Sequence, residues 1–136
     1  MSQHEVTLLL GSNLGDTKKN IETALHYMEK EFGPILRRSE ILLNKPVEFS
    51  SSNIVVLIKT QFSPIKLLNF IKKIEFDMGR IEDSSVTSAY LDRIIDIDIV
   101  LYGDLKFYCK TLNIPHKKHL YEREFSRNLL MSIKRH

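Results

Sequence analysis

Hydrophobic and polar residues follow two different periods along the chain, and each change of period marks a new element. Alternating or continuous aliphatic and β-branched runs predict strands, which lie at residues 5–11, 35–43, 53–62 and 93–103. Apolar residues at helical spacing predict one helix from about Thr17 to Glu31 and another that begins at Pro64. A final helix is predicted from about Glu122.

Local signals mark the ends of the two longer helices. Asp16 is a good N-cap for the first helix, and Gly33-Pro34 ends it. Ser63-Pro64 supplies an N-cap and a first-turn proline for the second helix, and Gly79 is its predicted C-cap. The order β-α-β-β-α-β predicts an α+β fold of the ferredoxin-like, split βαβ kind. Its sheet is mostly antiparallel with both helices on one face, which leaves the other face for a site.

The strand at 93–103, RIIDIDIVLYG, carries two carboxylates inside an aliphatic run. Because side chains alternate along a strand, one face is predicted to hold Ile95, Ile97, Ile99 and Leu101. The other face is predicted to hold Asp96 and Asp98 with Ile94 and Val100. Two carboxylates on a core strand repel each other and are costly to desolvate. The alternative is a pair of surface aspartates on an edge strand.

A divalent cation would offset this cost. Mg²⁺ prefers oxygen ligands and usually takes one or two carboxylates together with substrate phosphates. We therefore predict that Asp96 and Asp98 converge on one Mg²⁺ ion or bracket two. Arg93 lies three residues before Asp96, and its planar guanidinium suits phosphate oxygens. Acidic metal ligands beside arginines suit a bound nucleoside triphosphate, although a solvated basic face is the alternative for the basic residues.

Composition narrows the class of protein. With 136 residues, the chain is expected to form a single domain over 1–136. The net charge of +3 and the pI near 9.0 make an anionic partner plausible. No apolar run reaches the length of a membrane helix, so no membrane association is expected. One cysteine, Cys109, suits a reducing cytoplasm.

Six motifs in chain order resemble the 6-hydroxymethyl-7,8-dihydropterin pyrophosphokinases of folate synthesis. They are GSNLGD after the first strand, Asn53 at the start of the third, E-x-x-x-G-R at 75–80, R-x-x-D-x-D-I-x-x-x-G at 93–103, PH at 115–116 and R-x-F at 123–125. The resemblance runs from about Val6 to Phe125. The fold of that family is ferredoxin-like, in agreement with the element order.

The resemblance implies a magnesium-dependent diphosphotransferase. Pyrophosphate would pass from ATP, the co-substrate, to the hydroxymethyl group of the dihydropterin, and AMP would leave. Two Mg²⁺ ions would be held by Asp96 and Asp98, and the catalytic residues would be Asp96, Asp98, Arg80 and Arg93. The residues implied in ATP binding are Glu75, Arg80, Arg93, His116 and Arg123. Those implied in pterin binding are Asn53, Pro46, Val47, Phe125 and Tyr90.

The implied partners are the pterin and ATP. No nucleic-acid partner is expected, and the protein is expected to be a monomer. One segment departs from the family, because its usual basic loop R-W-G-P-R reads A-Y-L-D-R at 89–93. This departure motivates a second hypothesis, a catalytically weakened relative that binds pterin or nucleotide without efficient turnover. A third hypothesis is a basic ferredoxin-like module that binds RNA, although the aromatic signatures expected of such a sheet are absent.

Overall fold

The computed structural model describes residues 3–44, 51–79 and 94–134. The secondary structure in that part of the chain consists of β1 (His4–Ser12), α1 (Thr17–Phe32), β2 (Arg37–Arg38), β3 (Leu42–Asn44), β4 (Ser51–Thr60), α2 (Pro64–Gly79), β5 (Asp96–Tyr102), β6 (Phe107–Tyr108), β7 (Asn113–Ile114), a π-helical turn (Lys118–Glu122) and α3 (Glu124–Lys134). Each predicted helix and strand has a counterpart, although the second predicted strand is divided into β2 and β3 and the final helix begins at Glu124 rather than about Glu122. The two-stranded β6–β7 ribbon follows β5.

One antiparallel sheet organises these elements. Its order is β2-β4-β1-β5, and β3 also pairs with β4. In the centre, Leu10 of β1 lies opposite Ile54 of β4 on one side and Ile97 of β5 on the other. Since β4 separates β1 from the short strands that follow α1, the βαβ unit is split. The predicted ferredoxin-like fold is confirmed.

The second predicted strand, over 35–43, is interrupted in its middle. β2 and β3 both pair with β4, and Ser39 lies between them. The Ser39 amide donates to the Val55 carbonyl at 2.9 Å. The Ser39 hydroxyl in turn accepts from the Val55 amide at 3.0 Å and donates to the Glu40 carbonyl at 2.9 Å. A side-chain oxygen thus replaces one backbone acceptor in the ladder, and the strand continues as two pieces.

The predicted N-caps of both helices and the predicted C-cap of α1 are present. The Asp16 carboxylate accepts a hydrogen bond from the Lys19 amide at 3.2 Å, and the Ser63 hydroxyl accepts one from the Lys66 amide at 3.2 Å. Gly33 closes α1 with φ of 83°, a conformation that glycine adopts without strain. Gly79, the predicted C-cap of α2, is the last residue of that helix.

Helices α1 and α2 pack on the same face of the sheet, as predicted. Their buried stripes are Ile21, Ala24, Leu25 and Met28 in α1 and Leu67, Ile71, Ile74 and Met78 in α2. These side chains meet the aliphatic residues Val6, Leu8, Leu10, Ile54, Val56, Ile58, Ile97 and Ile99 of the sheet. This cluster is the larger of the two hydrophobic cores among the described residues.

Helix α3 covers the opposite face. Its residues Leu129, Leu130 and Ile133 pack against Leu9, Val55 and Val100. The expectation that this face is left open for a site is therefore wrong over the area that α3 occupies. In the described part of the chain, no helix is both long and apolar enough to cross a membrane.

A β-bulge in β5 changes the predicted alternation of faces. Leu8 lies opposite Ile99 and Thr7 lies opposite Leu101, so Val100 is an extra residue. Leu101 therefore packs with Val100 on the α3 face, whereas it was predicted to share a face with Ile99. Two further residues, Tyr102 and Ile94, pack on the side of α1 and α2. Ile94 precedes β5 and was predicted to share the face of the aspartates.

Replacing Leu130 tests the packing of α3. Leu130 is 4% exposed, whereas Met131, the next residue, is 56% exposed. We expect Leu130→Ala to lower the free energy of unfolding by about 2–4 kcal/mol, because it leaves a cavity. Met131→Ala should change it by less than about 0.5 kcal/mol. Urea denaturation followed by circular dichroism measures both values, and equal effects would contradict this position of α3.

Candidate functional site

A cavity of about 650 Å³ opens beside the outer edge of β5. It lies between α2, β5, the β6–β7 ribbon and the π-helical turn, and Glu75, Asp96, Asp98 and His116 line it. The lining also includes the four lysines Lys72, Lys110, Lys117 and Lys118. Acidic groups on the strand are thus surrounded by basic groups from three other elements.

Two groups occupy the outer edge of β5. The Glu75 carboxylate of α2 accepts a hydrogen bond from the Ile97 amide at 2.8 Å. The His116 amide donates to the Val100 carbonyl at 2.9 Å. Because these bonds fix α2 and the segment around His116 against the strand, Glu75 and His116 are placed beside the two aspartates.

Asp98 is the centre of a network of imidazole contacts. Its Oδ2 lies 2.7 Å from Nε2 of His119 and 4.0 Å from Nε2 of His116. The two imidazole rings are 4.2 Å apart between centroids. Nδ1 of His119 in turn lies 2.8 Å from the Ser126 hydroxyl. Asp98, His116 and His119 together present their ligand atoms within 4.8 Å of one another.

The charges around Asp98 favour its ionised form. Burial alone would raise the pKa of this carboxyl group. The hydrogen bond from His119 and the electrostatic interactions with His119, His116 and Arg123 outweigh that effect, so the pKa lies below its ordinary value. Asp98 is therefore a carboxylate at neutral pH, as a ligand for a hard cation must be.

Glu75 is perturbed in the opposite direction. Burial, reinforced by the negative charges of Asp96 and Asp98, raises the pKa of Glu75 to about 7. The hydrogen bond from Ile97 and the charge of Lys72 oppose this rise without cancelling it. Glu75 therefore resists ionisation beside the two aspartates, and a divalent cation bound there would favour its ionised form.

His116 is held in its neutral form. Burial and the neighbouring His119 lower the pKa of His116, although Asp98 acts in the other direction. Nδ1 of His116 is buried and finds no hydrogen-bond partner among the described residues. A neutral imidazole beside the cavity can donate one hydrogen bond and accept another.

The π-helical turn brings His119 inward. In this turn the Arg123 amide donates to the Lys118 carbonyl, five residues earlier, at 2.9 Å. His119 is 1% exposed, whereas Lys118 and Arg123 are exposed. Single π-helical turns occur frequently at functional sites. Arg123 does not line the cavity, but its charge acts on Asp98.

Asn53 and Phe125, assigned to the pterin by resemblance, do not line this cavity. Both border Leu42, which pairs with Asn53 and lines a second cavity, of about 620 Å³, together with Phe125. Asn53 also lies opposite Gly11, and a Cβ on Gly11 would be 2.7 Å from the Asn53 amide nitrogen. The absence of a side chain at Gly11 therefore leaves space for the Asn53 amide.

The structure thus brings together four of the predicted site residues, namely Asp96, Asp98, Glu75 and His116, with Arg123 near them. The predictions on Arg80, Arg93, Pro46, Val47 and Tyr90 lie outside the described residues. His119, Ser126 and Lys72 were not predicted as site residues. The spacing of His119 three residues after His116, within PHKKH, was the available signal.

Glu75 makes the stability of the metal-free protein depend on pH. The folded-state pKa of Glu75, about 7, is above the ordinary 4.5, so the folded protein binds this proton more tightly than the unfolded chain does. The resulting contribution to the free energy of unfolding is complete below pH 4.5 and is lost as the pH rises through 7. The full shift is worth about 3 kcal/mol, which solvent screening reduces to about 1–2 kcal/mol. We expect Glu75→Gln to be more stable than the parent protein at pH 8 by this amount.

Urea titrations in EDTA at pH 5 and pH 8 measure this difference. Glu29→Gln, a change at an exposed position of α1, is the control and should leave the pH dependence intact. An unchanged pH dependence in Glu75→Gln would contradict the raised pKa.

Comparisons with known proteins agree on one family. The chain matches the family described as 7,8-dihydro-6-hydroxymethylpterin-pyrophosphokinase (HPPK) over residues 7–135. It is 33% identical over 133 residues to a Porphyromonas gingivalis protein named 2-amino-4-hydroxy-6-hydroxymethyldihydropteridine pyrophosphokinase, covering 94% of this chain and 89% of that protein. It is 35% identical over 133 residues to the mitochondrial folate synthesis bifunctional protein of Pisum sativum, covering 95% of this chain and 25% of the pea protein.

The chain therefore spans about a quarter of the length of the pea relative. A solved structure of Plasmodium falciparum HPPK-DHPS superposes with a TM-score of 0.59 at 20% identity, covering 95% of this chain and 33% of that one. This likeness supports the fold. Since the family match extends over nearly all of the sequence, the chain belongs to the 7,8-dihydro-6-hydroxymethylpterin-pyrophosphokinase family.

Proposed function

We propose that this protein transfers pyrophosphate from ATP to the hydroxymethyl group of 6-hydroxymethyl-7,8-dihydropterin, with release of AMP, as a step of folate biosynthesis. The observation that carries the proposal is the position of Asp96 and Asp98. They match the aspartates of the family motif and line a cavity of about 650 Å³ with Glu75 and His116. The Porphyromonas gingivalis relative, similar over most of its length, is named for this activity.

The residues at this cavity fit divalent cations. Three carboxyl groups, those of Glu75, Asp96 and Asp98, line it, and burial, reinforced by the charges of Asp96 and Asp98, raises the pKa of Glu75. Asp96 and Asp98 would hold two Mg²⁺ ions. When bound, Mg²⁺ would neutralise negative charge on the triphosphate and polarise the reacting phosphoryl group.

The chain's own groups then orient the nucleotide. Neutral His116, which lines the cavity, can donate a hydrogen bond to the nucleotide or accept one from it. The cavity lysines, such as Lys72, would contact phosphate oxygens, and we assign Arg123 to the same oxygens on the family resemblance. Glu75, fixed by the Ile97 amide, lies beside the same space. We also assign Arg80 and Arg93 to the triphosphate, on the family resemblance alone.

In the proposed reaction the pterin hydroxymethyl oxygen bonds to the β-phosphorus. The bond from that phosphorus to the oxygen bridging the α-phosphate breaks, AMP leaves with this oxygen, and the hydroxyl proton is released. Asn53 would pair with the polar edge of the pterin and Phe125 would stack on its ring; we assign Pro46, Val47 and Tyr90 to pterin binding on the family resemblance alone. Catalysis then rests on positioning and electrostatics.

Other features bear on the alternatives. The sheet face that an RNA-binding module would need is packed against α3. Nothing in the described residues favours a weakened relative, because Asp96, Asp98, Glu75 and His116 meet at one cavity. Both hydrophobic clusters share the sheet, which supports one domain over 1–136. A cytoplasmic location stays a proposal, since the pea relative is named as mitochondrial.

Removing one aspartate charge tests the proposal. With ATP, Mg²⁺ and 6-hydroxymethyl-7,8-dihydropterin, we expect the parent protein to form AMP, measured by chromatography. Asp96→Asn or Asp98→Asn should lower kcat by about 10²–10³-fold or more, as loss of a preorganised electrostatic group does. Asp104→Asn, at an exposed residue after β5, is the matched control and should retain activity. A parent protein that forms no AMP above background would refute the function.

Gly11→Ala tests the pterin side. The added Cβ would meet the Asn53 amide at 2.7 Å and displace it. We expect KM for the pterin to rise about tenfold, the cost of about one hydrogen bond, with KM for ATP nearly unchanged. The double variant Gly11→Ala/Asn53→Ala should lose little more than Asn53→Ala alone, because both changes act on one contact. Additive losses would mean that Gly11 acts elsewhere.

A further inference from the structure

One buried histidine stands between the strand that carries the aspartates and helix α3. His119 is 1% exposed and Ser126 is fully buried. The His119 ring touches Asp98 through Nε2 at 2.7 Å and Ser126 through Nδ1 at 2.8 Å. Neither His119 nor Ser126 belongs to the motifs that carry the family resemblance, so the proposed reaction has not yet given them a role.

The proton positions in this chain of contacts follow from chemistry. An ionised carboxylate oxygen only accepts hydrogen bonds, so Nε2 of His119 donates to Oδ2 of Asp98. When the ring is neutral, Nδ1 accepts, and the Ser126 hydroxyl donates to it. Both ring nitrogens are then satisfied in a space that excludes water, which holds the imidazole in one orientation.

We propose that His119, held by Ser126, is a positioning residue that sets the orientation of the Asp98 carboxylate for cation binding. Fixing Oδ2 fixes the plane of the carboxylate, and with it the direction in which Oδ1 is presented. Metal-ligating groups are commonly held in this way by outer hydrogen bonds, whose loss costs about 10–100-fold in metal affinity or activity. This inference rests on the proposed function, in which Asp98 holds Mg²⁺.

The location of the pair explains why it can act in this way. Asp98 is on β5, His119 is in the π-helical turn and Ser126 is in the first turns of α3. The Arg127 amide donates to the Arg123 carbonyl at 3.1 Å at the start of that helix. Helix α3 itself is anchored to the sheet by Leu129, Leu130 and Ile133. The orientation of Asp98 is therefore tied to a helix that lies outside the cavity.

A purely structural role for His119 makes a different prediction. If the ring only fills space between β5 and α3, its replacement lowers stability and leaves the metal dependence of the protein unchanged. A positioning role instead changes the affinity for the cation, and it can be rescued by a side chain that restores the donor. Glutamine is that side chain, because its Nε2 can replace the Nε2 of histidine as a donor to Asp98.

The first readout does not require turnover. Binding of Mn²⁺ in the presence of α,β-methylene-ATP, in which the bond that the reaction breaks is replaced, is measured by electron paramagnetic resonance. We expect His119→Leu to weaken Mn²⁺ binding by about 10–100-fold and His119→Gln to recover most of it. Ser126→Ala should produce a smaller loss. Ser132→Ala, at an exposed serine of the same helix, should have no effect.

The second readout is activity. In steady-state assays the Mg²⁺ concentration for half-maximal rate should rise in His119→Leu, and the KM for pterin should stay close to that of the parent. Unchanged or tighter Mn²⁺ binding in both His119→Leu and Ser126→Ala, whatever their thermal stability, would overturn the inference. If His119→Leu does not fold, Ser126→Ala and His119→Gln decide the question.

The two proposals fail in different ways. If the parent protein binds Mn²⁺ through this network yet forms no AMP, the proposed function is wrong and the role of His119 stands. If the parent protein forms AMP and the variants keep its metal dependence, the proposed function stands and the positioning role of His119 is wrong.

Discussion

The site is organised around a group of acidic side chains at the outer edge of β5, and the other residues of the site hold or balance their charge. Asp96 and Asp98 project from one strand, and α2 adds Glu75. Burial raises the pKa of Glu75 in the metal-free protein, and the charges of Asp96 and Asp98 add to this rise. Burying like charges is unfavourable unless a partner offsets it, so such a cluster is expected where a cation and a polyanion bind.

The surrounding elements divide the task of holding these charges. Helix α2 supplies a carboxylate that is fixed by a backbone amide of β5, and the segment after the β6–β7 ribbon supplies His116. The π-helical turn supplies His119, which bonds directly to Asp98. Both faces of the sheet therefore contribute, because α3 packs on the side opposite to α1 and α2. The Glu75 and His119 side chains are held against β5 by hydrogen bonds, and the lysines line the same cavity.

Local chemistry determined what could be predicted from the sequence. The caps at Asp16 and Ser63 and the stripes of α1 and α2 depend on neighbours in sequence, so the periodicity located them. The break at Ser39 and the bulge at Val100 depend on how one strand fits another, and no period reports that fit. The face of the sheet on which α3 packs likewise depends on tertiary contacts and not on sequence periodicity.

The site divides along the same line. Alternation along one strand was enough to pair Asp96 with Asp98, and the family motifs added Glu75 and His116. His119 was not identified as a site residue, because its burial is produced by contacts with Asp98 and Ser126 that come from distant elements. A histidine that follows two lysines is expected to be a surface residue, and only the π-helical turn shows that it is buried.

The contacts on the outer edge of β5 have a consequence for solubility. An exposed strand edge is a template on which another molecule can add a strand, and natural proteins block such edges. Here the Glu75 carboxylate accepts a hydrogen bond from the Ile97 amide, and the His116 amide donates one to the Val100 carbonyl. At the other end of the sheet the edge is divided between two short strands, β2 with two arginines and β3 with three residues. The groups that build the cavity thus also discourage edge-to-edge aggregation of this protein.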